Sequence, residues 1–205
     1  MIIYMSDILC ITNRGLCKED FFRRMEQIAG EHPKGIILRE KDLSEKEYKS
    51  LAKQVLAICE KYNTTCVLHS FIGVAKELDT TAVHVPMPIL RTLKSEERAE
   101  FTILGSSCHS IEEAKEAERL GCTYIIAGHI FPTDCKKGVP GRGLDFLREV
   151  RESVSIPVYA IGGIDAQNIT EVRKTGAAGA CIMSGIMTCE YPKEYLLTLE
   201  KKQEE

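Results

Sequence analysis

Short apolar runs recur along the chain, and charged or amphipathic stretches separate them. The runs fall at 8–12, 35–39, 65–69, 82–85, 102–106, 124–128, 157–161 and 180–184. Each is too short for a typical helix. Several are apolar at consecutive positions, as in Tyr124-Ile125-Ile126-Ala127, which is the pattern of a strand buried on both faces. Between them lie helical signals. Ser44-Glu45-Lys46-Glu47 predicts a capping box opening a helix to about Tyr62. Ser110-Ile111-Glu112-Glu113 predicts a second capping box, for a helix stopping at Gly121. Asp165 is a candidate cap for a helix ending at Gly176. Leu144 to Val150 and Glu194 to Leu199 carry apolar residues at helical spacing, whereas 70–78 and 87–93 read as short, weak helices.

Eight strands alternating with helices predict an α/β chain, a (β/α)8 TIM barrel forming a single domain over 1–205. A doubly wound open sheet alternates in the same way and stays as the alternative. A barrel places its chemistry at the C-terminal ends of its strands. Those ends carry Asn13-Arg14, Arg39-Glu40-Lys41, His69-Ser70, His84, Ser106-Ser107, His129, Gly162-Gly163 and Ser184-Gly185, while strand starts are mostly bland.

Bulk properties narrow the classes. A net charge of -3 over 205 residues gives no electrostatic footprint for nucleic acid. No apolar run reaches the roughly 18 residues of a membrane span. The first residues lack the basic and small-residue pattern of a signal peptide. Nine scattered cysteines with no C-x-x-C pair read as reduced thiols in a cytoplasm, not a disulfide framework or zinc site, so a cytoplasmic protein is expected.

The densest chemistry is at 128–138, where strand Tyr124–Ala127 runs into Gly128-His129-Ile130-Phe131-Pro132-Thr133-Asp134-Cys135-Lys136-Lys137-Gly138. Histidine exchanges protons near neutral pH. The cationic loop beside it suits an anionic substrate. Gly162-Gly163 and Ser184-Gly185 end the last two strands, the frequent phosphate site of barrels. Arg39 and Lys41 offer cations at the mouth for a carboxylate or phosphate; a surface ion-pair cluster with Glu40 and Asp42 is the other reading. His129 is the favoured proton carrier, with His69 and His84 as secondary candidates. His109 reads equally well as part of a turn into a helix. Cys135, beside two lysines but with no evident activating base, reads as a spectator. No metal constellation emerges.

Leu38-Arg39-Glu40-Lys41-Asp42, Leu104-Gly105-Ser106-Ser107-Cys108-His109-Ser110, the 128–138 loop, Ile161-Gly162-Gly163-Ile164 and Met183-Ser184-Gly185-Ile186 together resemble the thiamine phosphate synthase/TenI family. The resemblance spans nearly the whole chain and implies a TIM barrel. The synthase branch joins a pyrimidine pyrophosphate to a thiazole phosphate with Mg²⁺. It resembles this chain at Arg39, Lys41, Ser107, Thr133, Lys136, Gly163 and Ser184. Its two magnesium aspartates fall where this chain has His69-Ser70-Phe71 and Pro86-Met87-Pro88-Ile89, without a carboxylate. The TenI-type thiazole tautomerase branch resembles Gly128-His129-Ile130-Phe131, Thr133 to Gly138 and Gly141-Arg142-Gly143 more closely.

That resemblance implies a cofactor-free isomerase aromatising an ylidene carboxythiazole phosphate. His129 would shuttle the proton. Gly162, Gly163, Ser184, Gly185 and Thr133 would hold the phosphate. Arg39 and Lys136 would orient the carboxylate or stabilise the negative charge that develops on deprotonation, and Lys41 and Ser107 are further substrate-binding candidates. The expected partners are a small phosphorylated thiazole and, at most, a second copy of the chain in a homodimer. Two other readings stay open: a divergent, Mg²⁺-dependent synthase and a non-catalytic sensor of thiamine phosphates. Segment 69–91 matches neither branch, and whether 132–143 acts as a lid is not fixed by composition.

Overall fold

Every one of the eight apolar runs is a strand in the computed structural model, which describes residues 6–133 and 138–200. The strands are β1 (Ile8–Ile11), β2 (Gly35–Leu38), β3 (Cys66–His69), β4 (Ala82–Pro86), β5 (Ile103–Cys108), β6 (Tyr124–Gly128), β7 (Val158–Ile161) and β8 (Gly179–Ile182). All pair in parallel with their sequence neighbours, and β8 returns to β1, closing the barrel. The open-sheet alternative is thereby excluded.

The two-residue side-chain period of a strand divides the core into two layers. Ile8, Cys10, Ile36, Leu38, Leu68, Val83, Leu104, Ile125, Val158 and Ile182 face outward into the layer beneath the helices. Leu9, Ile11, Ile37, Val67, Ala82, Tyr124, Ile126, Tyr159 and Cys181 fill the barrel interior. Both faces of each strand are thus buried, which explains why the runs are continuously apolar.

The helices are α1 (Phe21–Gly30), α2 (Glu45–Lys61), α3 (Ile72–Glu77), α4 (Met87–Thr92), α5 (Ser95–Ala99), α6 (Ile111–Arg119), α7 (Gly143–Ser153), α8 (Ile169–Lys174), α9 (Ser184–Thr188) and α10 (Pro192–Glu200). The capping box at Ser44 and Glu47 forms as expected. The second differs. Ser110 Oγ accepts from the Glu113 amide at 3.1 Å, but the Glu113 carboxylate reaches past Ser110 to the His109 amide at 2.6 Å. Asp165 does not cap α8. Its carboxylate accepts from the Gln167 amide at 2.8 Å in a preceding turn, and Asn168 occupies the cap position. Helix α1 escaped the sequence reading. Its signals were present: Asp20 accepts from the Arg23 amide at 2.9 Å, and Met25, Ile28 and Ala29 are buried at helical spacing.

The eight cysteines among the described residues are unpaired. No described helix is long and apolar enough to cross a membrane.

Candidate functional site

At the C-terminal mouth of the barrel lies a cavity of about 310 Å³. Arg39, Lys41, His69, His84, Ser107, His129, Thr133, Gly162, Gly163, Ser184 and Gly185 all line it. The structure therefore gathers every expected site residue except Lys136, which lies outside the described residues with Asp134, Cys135 and Lys137. The cavity also takes in His109, Pro86 and Met183, and its floor is apolar, with Ile11, Ile37, Ile126 and Ile161. No described lining residue is an aspartate or glutamate, so Arg39 and Lys41 set its sign.

Alternation at the end of β2 separates a cation from a carboxylate. Arg39 and Lys41 turn to the cavity. Between them Glu40 turns into the wall, 3% exposed, and accepts from Thr12 Oγ1 at 2.6 Å and the Arg14 amide at 3.0 Å. Arg14 then spans to Asp42 through two bonds of 2.8 and 2.6 Å. The ion-pair cluster read from this motif is real, but it uses Arg14, not Arg39. The Arg39 guanidinium has no side-chain partner among the described residues and can meet a ligand.

His129 follows β6 and is stitched in from two sides. The next two amides, Ile130 and Phe131, donate to Ile161 and Gly162 carbonyls at 2.8 and 3.0 Å. The His129 and Ile130 carbonyls accept from Arg142 and Gly143 at 2.9 Å each. The Gly128–His129 peptide is cis. The imidazole is 5% exposed, and its Nε2 lies 3.2 Å from the Val139 carbonyl. A carbonyl only accepts, so Nε2 carries a proton, and in the neutral imidazole the lone pair is on Nδ1. That Nδ1 is buried and has no hydrogen-bond partner among the described residues.

The other histidines differ in kind. Burial, then the charges of Arg39 and Lys41, press His69 down to about 3, so it is neutral at physiological pH. His69 Nδ1 lies 2.7 Å from Ser70 Oγ. Burial, helped by His69, also drives His84 well below the ordinary histidine range. Its ring stacks on His69 with centroids 5.7 Å apart. His109 Nδ1 bonds the Gly128 carbonyl at 2.8 Å, fixing the end of β6. This role suits the turn reading, although the ring also lines the cavity.

Across the mouth, Gly162 and Gly163 follow β7. Neither amide donates to a backbone carbonyl among the described residues. Ser184 and Gly185 open α9, where first-turn amides lack intrahelical acceptors. Gly162, Gly163, Ser184, Gly185 and Thr133 all line the cavity, a set of residues suited to a phosphate.

The molecule is thus a (β/α)8 barrel whose cavity, at the C-terminal ends of its strands, has a wall suited to a small anion. A family model described as Thiamine monophosphate synthase (TMP-TENI) matches residues 8–186. The chain is 36% identical over 156 residues to the thiamine-phosphate synthase of Caldivirga maquilingensis, covering 76% of each. It is 33% identical over 186 residues to that of Clostridium acetobutylicum, covering 90% of this chain and 88% of the relative. A solved thiamine phosphate pyrophosphorylase from Pyrococcus furiosus superposes with a TM-score of 0.82 at 32% identity, covering 95% and 93%. The chain belongs to the TMP-TENI family.

Proposed function

We propose that this chain is an enzyme of thiamine biosynthesis acting as a thiazole tautomerase, which aromatises the ylidene carboxythiazole phosphate by proton transfer. The observation that carries this reading is His129 on the wall of a cavity without described carboxylates, its Nδ1 buried and without a hydrogen-bond partner among the described residues. The Val139 carbonyl holds the proton on Nε2, leaving Nδ1 as a base. It takes a proton from the saturated ring carbon. The released electron pair enters the ring, and the exocyclic double bond accepts the same proton at its outer carbon. Atoms and charge balance with no co-reactant. His69 and His84, both held neutral, cannot compete as acids. The Gly162-Gly163 and Ser184-Gly185 loops and Thr133 grip the phosphate. Arg39 faces the carboxylate and the negative charge that develops on deprotonation.

The names of the relatives favour a second reading, thiamine-phosphate synthase. That reaction uses Mg²⁺, which takes hard oxygen ligands, usually carboxylates. Among the described residues there is no cluster of three or more His, Cys, Asp or Glu able to hold a metal, and none of the described lining residues is acidic. The described residues do not fit the ion, and the histidine-centred reaction agrees better with them.

The test is to mix purified protein with the ylidene substrate, without metal, and follow the ultraviolet change as the ring becomes aromatic. Acceleration that falls about 10²–10⁴-fold in kcat in His129→Asn, with ligand binding retained, supports the reading. No acceleration, in protein that binds the aromatic phosphate, overturns it and leaves a relic synthase or a sensor.

A further inference from the structure

Three residues on three adjacent strands form a hydrogen-bond line that the proton transfer does not use. His84 of β4 places Nδ1 3.0 Å from the Tyr124 hydroxyl of β6 and Nε2 2.8 Å from Ser107 Oγ of β5. Tyr124 reaches over β5 because Gly105 lies between. In register, Gly105 faces both His84 and Tyr124, and a Cβ there would collide with the phenol ring. The line is dry at its root: Tyr124 is 7% and His84 1% exposed. It ends at Ser107, on the cavity wall.

Donor accounting fixes its direction. The Tyr124 hydroxyl has one polar partner among the described residues, His84 Nδ1. If Tyr124 accepted there, its own proton would be buried without an acceptor, which is costly. Tyr124 therefore donates, Nδ1 accepts, and the single proton of neutral His84 sits on Nε2. Nε2–H donates to Ser107 Oγ. The Ser107 proton is then left for the cavity. Burial that keeps His84 uncharged supports the same assignment.

We propose that Tyr124 and His84 are positioning residues that lock Ser107 as a hydrogen-bond donor toward the ligand's carboxylate end. Accepting from an imidazole also polarises the hydroxyl and strengthens that donation. The placement follows from the barrel: Ser107 on β5 lies away from the amide loops after β7 and β8, with Arg39 across from it on β2. A phosphate held by those loops directs the other end of a small ligand to Arg39 and Ser107. The carboxylate end of the ligand rests on the proposed function; the proton line itself does not.

Two measurements test it. Long-range ¹H–¹⁵N correlation on the ligand-free wild-type protein reads the His84 tautomer directly. Protonation at Nε2, unchanged from pH 8 to pH 5.5, is expected; protonation at Nδ1 overturns the proposal. Titration with the aromatic carboxythiazole phosphate and with the same phosphate lacking the carboxylate gives the second. Tyr124→Phe should weaken the carboxylated probe about 5–10-fold and leave the other within about twofold. In a Ser107→Ala background the Tyr124→Phe effect should vanish. Its persistence at full size, or equal loss for both probes, overturns the proposal. A wild-type protein that binds neither probe refutes the functional reading, and the tautomer then decides the proton line alone.

Discussion

Gly162 lies directly against His129: a Cβ at position 162 would meet His129 Cα at 2.9 Å and its Cβ closer still. Gly162 also sits at φ +102°, in the region that L side chains avoid. The glycine turn after β7 thus shapes the histidine as well as lining the cavity. Gly162→Ala should cost about 1–3 kcal/mol in stability from the backbone alone. It should also lower kcat at least about tenfold by displacing the imidazole. Thermal unfolding and steady-state kinetics check the two effects. Full activity in a folded variant would show that the contact does not position His129.

Adjacent residues at the end of β2 should separate stability from binding. Glu40 is 3% exposed and satisfies the Thr12 hydroxyl and the Arg14 amide. Glu40→Ala orphans both and should cost about 2–4 kcal/mol. Arg39 has no side-chain partner among the described residues, so Arg39→Ala should change stability by no more than about 0.5 kcal/mol. It should raise KM about 10–100-fold, the size of a lost charged hydrogen bond. Denaturant unfolding beside kinetics distinguishes them. An Arg39→Ala protein that is unstable but binds normally would return Arg39 to a structural role.

The strands and the mouth were legible because a barrel strand is short, apolar on both faces and followed by its chemistry. Arg39, His129 and the two glycine loops could be read from this alone. What could not be read depends on partners distant in sequence. Tyr124 meets His84 across 40 residues, and only the parallel register with Gly105 between them brings the pair together. Tyr48 is a buried residue of α2. Its hydroxyl donates to the Leu38 carbonyl at 2.6 Å and accepts from the His69 amide at 2.9 Å, tying the helix to two strand ends. The orphaned Nδ1 of His129 likewise requires Val139 to fold back on Nε2, which no local pattern encodes.

The buried histidines set an acid limit on stability. His69 is pressed from its ordinary 6.5 to about 3 by burial and by Arg39 and Lys41. Between those values the unfolded chain binds a proton that the native state refuses, so stability rises with pH there. The contribution is complete above about pH 6.5 and is lost as pH falls toward 3. His69 adds a slope of up to about 1.4 kcal/mol per pH unit within that window. His69→Gln should flatten the limb below pH 6.5 and leave stability near pH 8 less affected. Unfolding midpoints at pH 4.5, 6 and 8 for both proteins provide the check; parallel curves would mean that His69 is not the titrating group.

Metal dependence separates the two branches of the family on this chain. A metal-assisted departure of pyrophosphate needs a cation held by hard oxygen donors, and the described cavity wall offers hydroxyls, imidazoles, amides and cations but no carboxylate. Arg39 and Lys41 would moreover repel a divalent ion from the mouth. Aromatisation should therefore proceed at a rate unchanged within about twofold by EDTA or by millimolar Mg²⁺. The two phosphorylated halves of thiamine phosphate should give no product in either condition. Mg²⁺-dependent condensation at an ordinary enzymatic rate, abolished by EDTA, would overturn the tautomerase reading in favour of the synthase. If neither reaction occurs, yet thiamine phosphates bind and His129→Asn leaves that binding unchanged, the protein is a sensor built on an enzyme's barrel.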